Sequence, residues 1–185
     1  MIKKSLLAAA LLSAFVAQAE AATLVSDGAW NTFDVDDLTS DSGNLEWIDS
    51  NDGSPLSFNF TLPVSAYLRV VDGGFAGDRF NVFDNGNLLG ETSAAVNSYP
   101  ASLGLDFDQA YADPNFSHGM YLLEAGSHSI TGALSVSALD DTNAALNATV
   151  GAVSLTSVPI PAAAWLYLSG TALMGFVSRR RKSIN

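Results

Sequence analysis

Between residues 20 and 157, apolar and polar side chains alternate with a period of two rather than 3.6, the mark of half-buried strands. The clearest run is Leu56-Ser57-Phe58-Asn59-Phe60-Thr61-Leu62. Ala66 to Val71 follows Pro63, and Arg79 to Phe83 leads into Asn85-Gly86, a dipeptide that tolerates positive φ and predicts a hairpin with Asn87 to Gly90. Met120 to Leu123, the turn Glu124-Ala125-Gly126 and His128 to Val136 predict a second hairpin. Ala144 to Leu155 reads as a last strand, with Trp30 to Phe33 and Leu45 to Trp47 as early ones. Ser93 to Asn115 keeps neither period and predicts a long loop, with a helical turn near Phe107 to Tyr111. Short strands divided by Gly, Asn, Asp and Pro clusters predict an all-β antiparallel two-sheet sandwich, jelly-roll-like or immunoglobulin-like.

Both ends of the chain break this pattern. Lys3 and Lys4, an apolar run from Leu6 to Ala17, and the small-residue patterns Ala17-Gln18-Ala19 and Ala19-Glu20-Ala21 are the three regions of a secretory signal peptide. Residues 1–21 are therefore expected to form a signal helix that engages the Sec translocon and is removed by signal peptidase after Ala19 or Ala21. The acidic domain occupies residues 22–157. Residues 158–185 form a separate tail, in which Val158 to Val177 is a stretch of 20 residues without a charge. As a helix it would span about 30 Å, the thickness of a bilayer core. Trp165 and Tyr167 suit an interface, and Arg179, Arg180, Arg181 and Lys182 make a stop-transfer cluster held in the cytoplasm.

Within that tail, Val158, Pro159, Pro161, Ala162, Ala163, Trp165 and Leu166 form a V-P-x-P-A-A-x-W-L pattern, followed by an apolar stretch with glycines and an arginine cluster. This resembles the PEP-CTERM sorting signal, with Ile160 where the name-giving motif has Glu. The resemblance covers the last 28 residues and implies an exported protein of an exopolysaccharide-producing bacterium. It further implies recognition by the membrane enzyme exosortase, with membrane anchoring first and release to the cell surface or extracellular matrix after processing. The plain alternative is an unprocessed single-span anchor. Gly77 to Ser93 and Asp113 to Gly119 also resemble ectodomains found with such tails.

Charge sharpens the picture of the middle. All 19 acidic residues lie between Glu20 and Asp141, against only Arg69 and Arg79, a net of −17 where the whole chain carries −11. Such a surface repels phosphate backbones, so nucleic acid is not an expected partner. The chain has no cysteine, which excludes disulfides, thiolate metal sites and cysteine nucleophiles.

The acidic excess suits a solvated surface in an exported compartment, salt tolerance, or hard divalent cations, which take 6 to 8 oxygen ligands. Three oxygen-rich stretches are candidates for Ca²⁺: Asp34, Asp36 and Asp37; Asp49 and Asp52 within Asp49-Ser50-Asn51-Asp52-Gly53; and Asp72 with Asp78 around a glycine-rich loop. The second begins like an EF-hand, but its spacing is one residue short and its twelfth position is Phe60. Exopolysaccharide binding would need exposed aromatics, for which Tyr99, beside Pro100, is the best candidate. Catalysis has weaker support. Ser117 and His118 are neighbours that would point to opposite faces of a strand, no G-x-S-x-G elbow exists, and Asp106 and Asp108 carry no mark of a paired-acid site. A non-enzymatic surface or matrix protein is the expectation, with a carbohydrate-active enzyme as the alternative.

Overall fold

The computed structural model describes residues 20–158, with side chains from Thr23 onward. The expected signal helix and membrane helix lie outside them, as do Pro159, Pro161, Ala162, Ala163, Trp165, Leu166 and Arg179 to Lys182. Among the described residues, no helix is long and apolar enough to cross a membrane.

Alternation decides which side of each strand turns inward, and two antiparallel sheets result. One sheet runs β1 (Glu20–Ala22), β3 (Leu56–Leu62), β10 (Gly126–Val136), β6 (Arg79–Asp84), β7 (Asn87–Glu91). The other runs β2 (Asp27–Asp36), β11 (Ala148–Ser157), β4 (Ala66–Asp72), β9 (His118–Leu123). Among the described residues only β1 pairs in parallel, with Glu20 opposite Leu56. Between the sheets lie Phe58, Leu68, Val70, Phe80, Val82, Ile130, Val153 and Leu155, all fully buried. A short ribbon, β5 (Gly74–Phe75) with β8 (Ser102–Gly104), and one helix, α1 (Phe107–Ala112), complete the fold.

The middle of the core is a stack of rings between two glycines. Phe33 on β2 is the cross-strand partner of Gly151, and the Trp47 N–H donates to the Gly132 carbonyl at 2.9 Å. A methyl group on Gly132 would sit 2.2 Å from the indole, and one on Gly151 would sit 2.3 Å from the Phe33 ring. Each ring thus lies flat on a glycine of its own sheet. The two rings stack on each other at 3.9 Å and 15°, and Phe80 meets Phe33 edge-on at 5.1 Å. Stacked rings between bare backbones fill the roughly 10 Å gap expected between packed sheets.

The second expected hairpin is not one. β9 pairs with β4 in one sheet and β10 with β3 and β6 in the other, so the turn at Glu124 to Gly126 carries the chain across the sandwich. Each of the two strands has an inward apolar set, and splitting them places both Leu123 and Ile130 in the core. The first hairpin forms as expected, with Asn85 (φ 50°) and Gly86 (φ 78°) at its turn. Leu45 to Trp47 makes one isolated bridge, Glu46 to Ala133, rather than a full strand.

The helical turn expected near Phe107 is α1, capped by the Asp106 side chain, which accepts from the Gln109 N–H. It buries Phe107 and Ala110 against Val71, Ala152 and Phe116 on the outer side of the second sheet.

Candidate functional site

The strand order sets the site. The β2–β3, β4–β5, β7–β9 and β10–β11 connections meet at one end of the sandwich. Asn97 bridges to Leu139 by two 2.8 Å bonds, the Asp78 carboxylate accepts from the Ala138 N–H, and Asn147 donates to Asp37. All seven aspartates expected from sequence as cation ligands sit at this end, in two groups on either side of the start of β11.

The first group lines a cleft of about 560 Å³. Asp34, Asp36, Asp49 and Asp52 face it, together with Asn51, Gly53 and Thr149. Asp37 is turned aside by its bond to Asn147. Burial, then the charges of Asp49 and Asp36, holds the Asp34 carboxyl above the usual range. Asp36, Asp49 and Asp52 each accept the backbone N–H two residues on, as in Asx turns. The Ser54 N–H holds Asp52 below the usual carboxylate range. Gly53 (φ 76°) is required here, because a methyl group would stand 2.1 Å from the Thr39 carbonyl.

The second group is Asp72 and Asp78, 0% and 1% exposed. The Asp72 Oδ2 accepts the N–H groups of Gly77 and Asp78 at 3.3 Å each, while its Oδ1 is buried with no hydrogen-bond partner. The Asp78 Oδ1 accepts the Ala138 N–H at 2.8 Å. Burial, then the Asp78 charge, pushes Asp72 up to about 9, and burial pushes Asp78 up to about 6. Composition could not have separated these two from the exposed aspartates, because their burial comes from packing by β11 and the β10–β11 loop.

No cluster of three or more His, Cys, Asp or Glu side chains with metal-binding geometry occurs among the described residues. Any cation here would therefore lean on backbone carbonyls and hydroxyls.

The remaining candidates are occupied structurally. Tyr99, half-buried after a cis bond to Pro100, packs edge-on against Phe75 at 5.0 Å. Ser117 is fully buried and shares a hydrogen bond with Thr92, while the His118 ring faces the Phe116 carbonyl. Asp108 accepts from the Trp30 indole N–H, and Asp106 is the cap of α1. His128 lies between Asp84 and the Glu124 carbonyl, 2.9 Å from each, and stacks on Phe60.

Sequence reasoning missed one surface. On the outer face of β3, β10 and β6 the register brings together Asn59, Thr61, Ser127, Ser129, Thr131, Asn81 and Phe83, with the Arg79–Glu91 ion pair beside Asn81 at the β7 edge. A trough of about 450 Å³ crosses it, lined by Asn59, Phe60, Thr61, Asn85, His128 and Ser129. The polar positions of the alternating runs were its only trace in the sequence. No family model and no curated protein matches this chain.

Proposed function

We propose that this chain is an exported, non-enzymatic protein of the cell surface or extracellular matrix, with a jelly-roll domain that contacts exopolysaccharide. Sec would carry it out, and the PEP-CTERM-type tail would anchor it in the cytoplasmic membrane until exosortase processes it. The observation that carries the reading is a division of labour along the chain. The described residues between the two apolar segments close a core of their own, from Leu24 to Leu155.

Three further features support it. The order β2-β11-β4-β9 facing β3-β10-β6-β7 is the interleaved order of a jelly roll, an architecture used by lectins. The outer face of β3, β10 and β6 offers amides, hydroxyls and the Phe83 ring, groups that sugars recognise, with the Arg79–Glu91 ion pair at its β7 edge. β1 begins at Glu20, so cleavage after Ala19 keeps that strand whole, whereas cleavage after Ala21 removes two of its three residues.

The test is the mass of the mature protein from an exosortase-competent host. Loss of residues 1–19 and of the tail is expected. Retention of residues 162–185 would leave the single-span anchor instead.

A further inference from the structure

The two ends of the sandwich differ sharply in character. The seven aspartates of the candidate site, with Asp140 and Asp141 of the β10–β11 loop, lie at the end where β11 begins at Ala148. The opposite end is closed by the β3–β4 connection, the β6–β7 and β9–β10 turns, and the entry to β2. The ladders bring these together: Leu62 pairs with Gly126, Ala66 with both Leu123 and Ser157, and Thr156 with Asp27. Here large apolar side chains reach solvent. Val25, Val64, Leu88 and Leu122, from four separate segments, are 61%, 58%, 59% and 52% exposed. The acids at this end, Asp27, Asp84 and Glu124, are each engaged. Asp27 accepts the Ala29 N–H, Asp84 meets His128, and the Ser65 hydroxyl donates to Glu124.

The chain leaves the domain at this same end. Ser157 closes β11 opposite Ala66, and the Val158 N–H lies 3.5 Å from the Ser65 carbonyl. The uncharged run of the tail begins at that very residue. Because Pro159 and Pro161 do not suit a helix interior, the sequence that can continue as an uninterrupted helix starts at Ala162. Residues 158–161 are then the whole leash, with a reach of at most about 14 Å. The headgroup layer alone takes up about 5–8 Å of it. The sandwich is longer than the leash, since the ten residues of β11 rise roughly 30 Å. A domain tethered so closely either stands on this end or lies on its side. Lying down brings the aspartates against anionic lipid. Standing keeps them roughly 30 Å away, more than three Debye lengths at physiological salt.

We propose that the end of the sandwich carrying Val25, Val64 and Leu122 is a bilayer-docking surface, which seats the anchored domain upright on the periplasmic leaflet. This rests on the anchor reading of the tail and adds to it the orientation of the domain. Apolar side chains of an interfacial surface enter the headgroup–acyl boundary by about 5–10 Å, a depth that the leash permits. The occupant is lipid rather than a second copy, because the leash holds this end within reach of the bilayer whatever the protein concentration. The exposed Asp27 and Glu124 then face the ammonium groups of zwitterionic headgroups, which carry the opposite charge.

The experiment uses the chain exported by a host without exosortase, freed of its signal peptide and still carrying its tail. It is reconstituted in vesicles of phosphatidylethanolamine with a minority of phosphatidylglycerol. Because the chain has no cysteine of its own, Val25→Cys, Val64→Cys and Leu122→Cys each carry a single fluorophore, with Ser50→Cys as the site at the acidic end. Headgroup spin labels are expected to quench the first three at least about threefold more than Ser50→Cys. Equal quenching at all four sites would overturn the proposal. So would the absence of quenching at Val64→Cys and Leu122→Cys in a chain that floats with the vesicles, and either result leaves the anchor standing. A chain that does not float with the vesicles would overturn the anchor and the docking together. Self-quenching that unlabelled chain dilutes away, without quenching by lipid, would assign this end to a second copy and overturn the proposal equally.

Discussion

The ring stack at the centre of the sandwich makes Gly132→Ala the sharpest test of how this core is packed. The added methyl carbon would lie 2.2, 2.3 and 2.6 Å from three indole carbons of Trp47. Ordinary carbon contacts need about 3.5–4.0 Å, so the indole would have to retreat by more than 1 Å. Behind it stands the Phe33 ring at 3.9 Å, which in turn lies on Gly151. Neither ring has room to move without parting the sheets. The cost should therefore reach the top of the overpacking range, about 3 kcal/mol. For a domain of this size that lowers Tm by about 10 °C. Urea unfolding followed by circular dichroism gives the free energy, and a double-mutant cycle with Trp47→Ala isolates its cause. Trp47→Ala alone should cost about 3–5 kcal/mol, and in its background Gly132→Ala should cost under about 1 kcal/mol. If Gly132→Ala is neutral in the parent, or equally costly with and without the indole, the packing argument fails.

Other outcomes follow from other parts of the fold. Arg69→Ala removes the guanidinium 4.7 Å from the Trp30 ring and 5.3 Å from Tyr111, together with its bond to Ser154 at 2.9 Å. A loss of about 1–3 kcal/mol is expected, only partly recovered by Arg69→Lys, and denaturant midpoints within error of the parent would contradict it. Burial, then the Glu91 charge, pushes the Tyr121 phenol up to about 12, against about 10 when unfolded. The unfolded chain therefore releases this proton first, so stability is full below pH 10 and falls as pH rises towards 12. Tyr121→Phe should lack that share of the decline in urea midpoints, and an identical alkaline profile would refute the assignment. Ser129→Lys puts a charge and a long side chain in the middle of the hydroxyl- and amide-lined outer face. Retention on exopolysaccharide in affinity electrophoresis should drop at least tenfold with Tm unchanged, and undiminished retention would remove this face from the proposed function.

The strands were legible because alternation and turn chemistry are local. Leu56 to Leu62 and Arg79 to Asn87 needed nothing beyond their own residues to declare a strand and a hairpin. Glu124 to Gly126 gave an equally local turn signal, yet a turn fixes only a change of direction. Whether the flanking strands pair or cross depends on which distant strands claim their edges, here β4 and β3. The candidate site divides in the same way. Composition placed the acidic excess in the middle of the chain and singled out seven aspartates as candidates, but it gave each of them the same standing. Burial separated Asp72 and Asp78 from Asp36 and Asp52, and burial is a sum over neighbours far away in sequence.

The sequence by itself thus determined a β-rich acidic middle between two apolar ends of different composition, because periodicity, charge and small-residue patterns are properties of neighbouring positions. Only the tertiary structure decided the interleaved sheet order and the hydroxyl- and amide-lined outer face of β3, β10 and β6. It also gathered the acidic loops at one end and paired Phe33 with Gly151 and Trp47 with Gly132. These rest on long-range register, which follows from burying every apolar face at once.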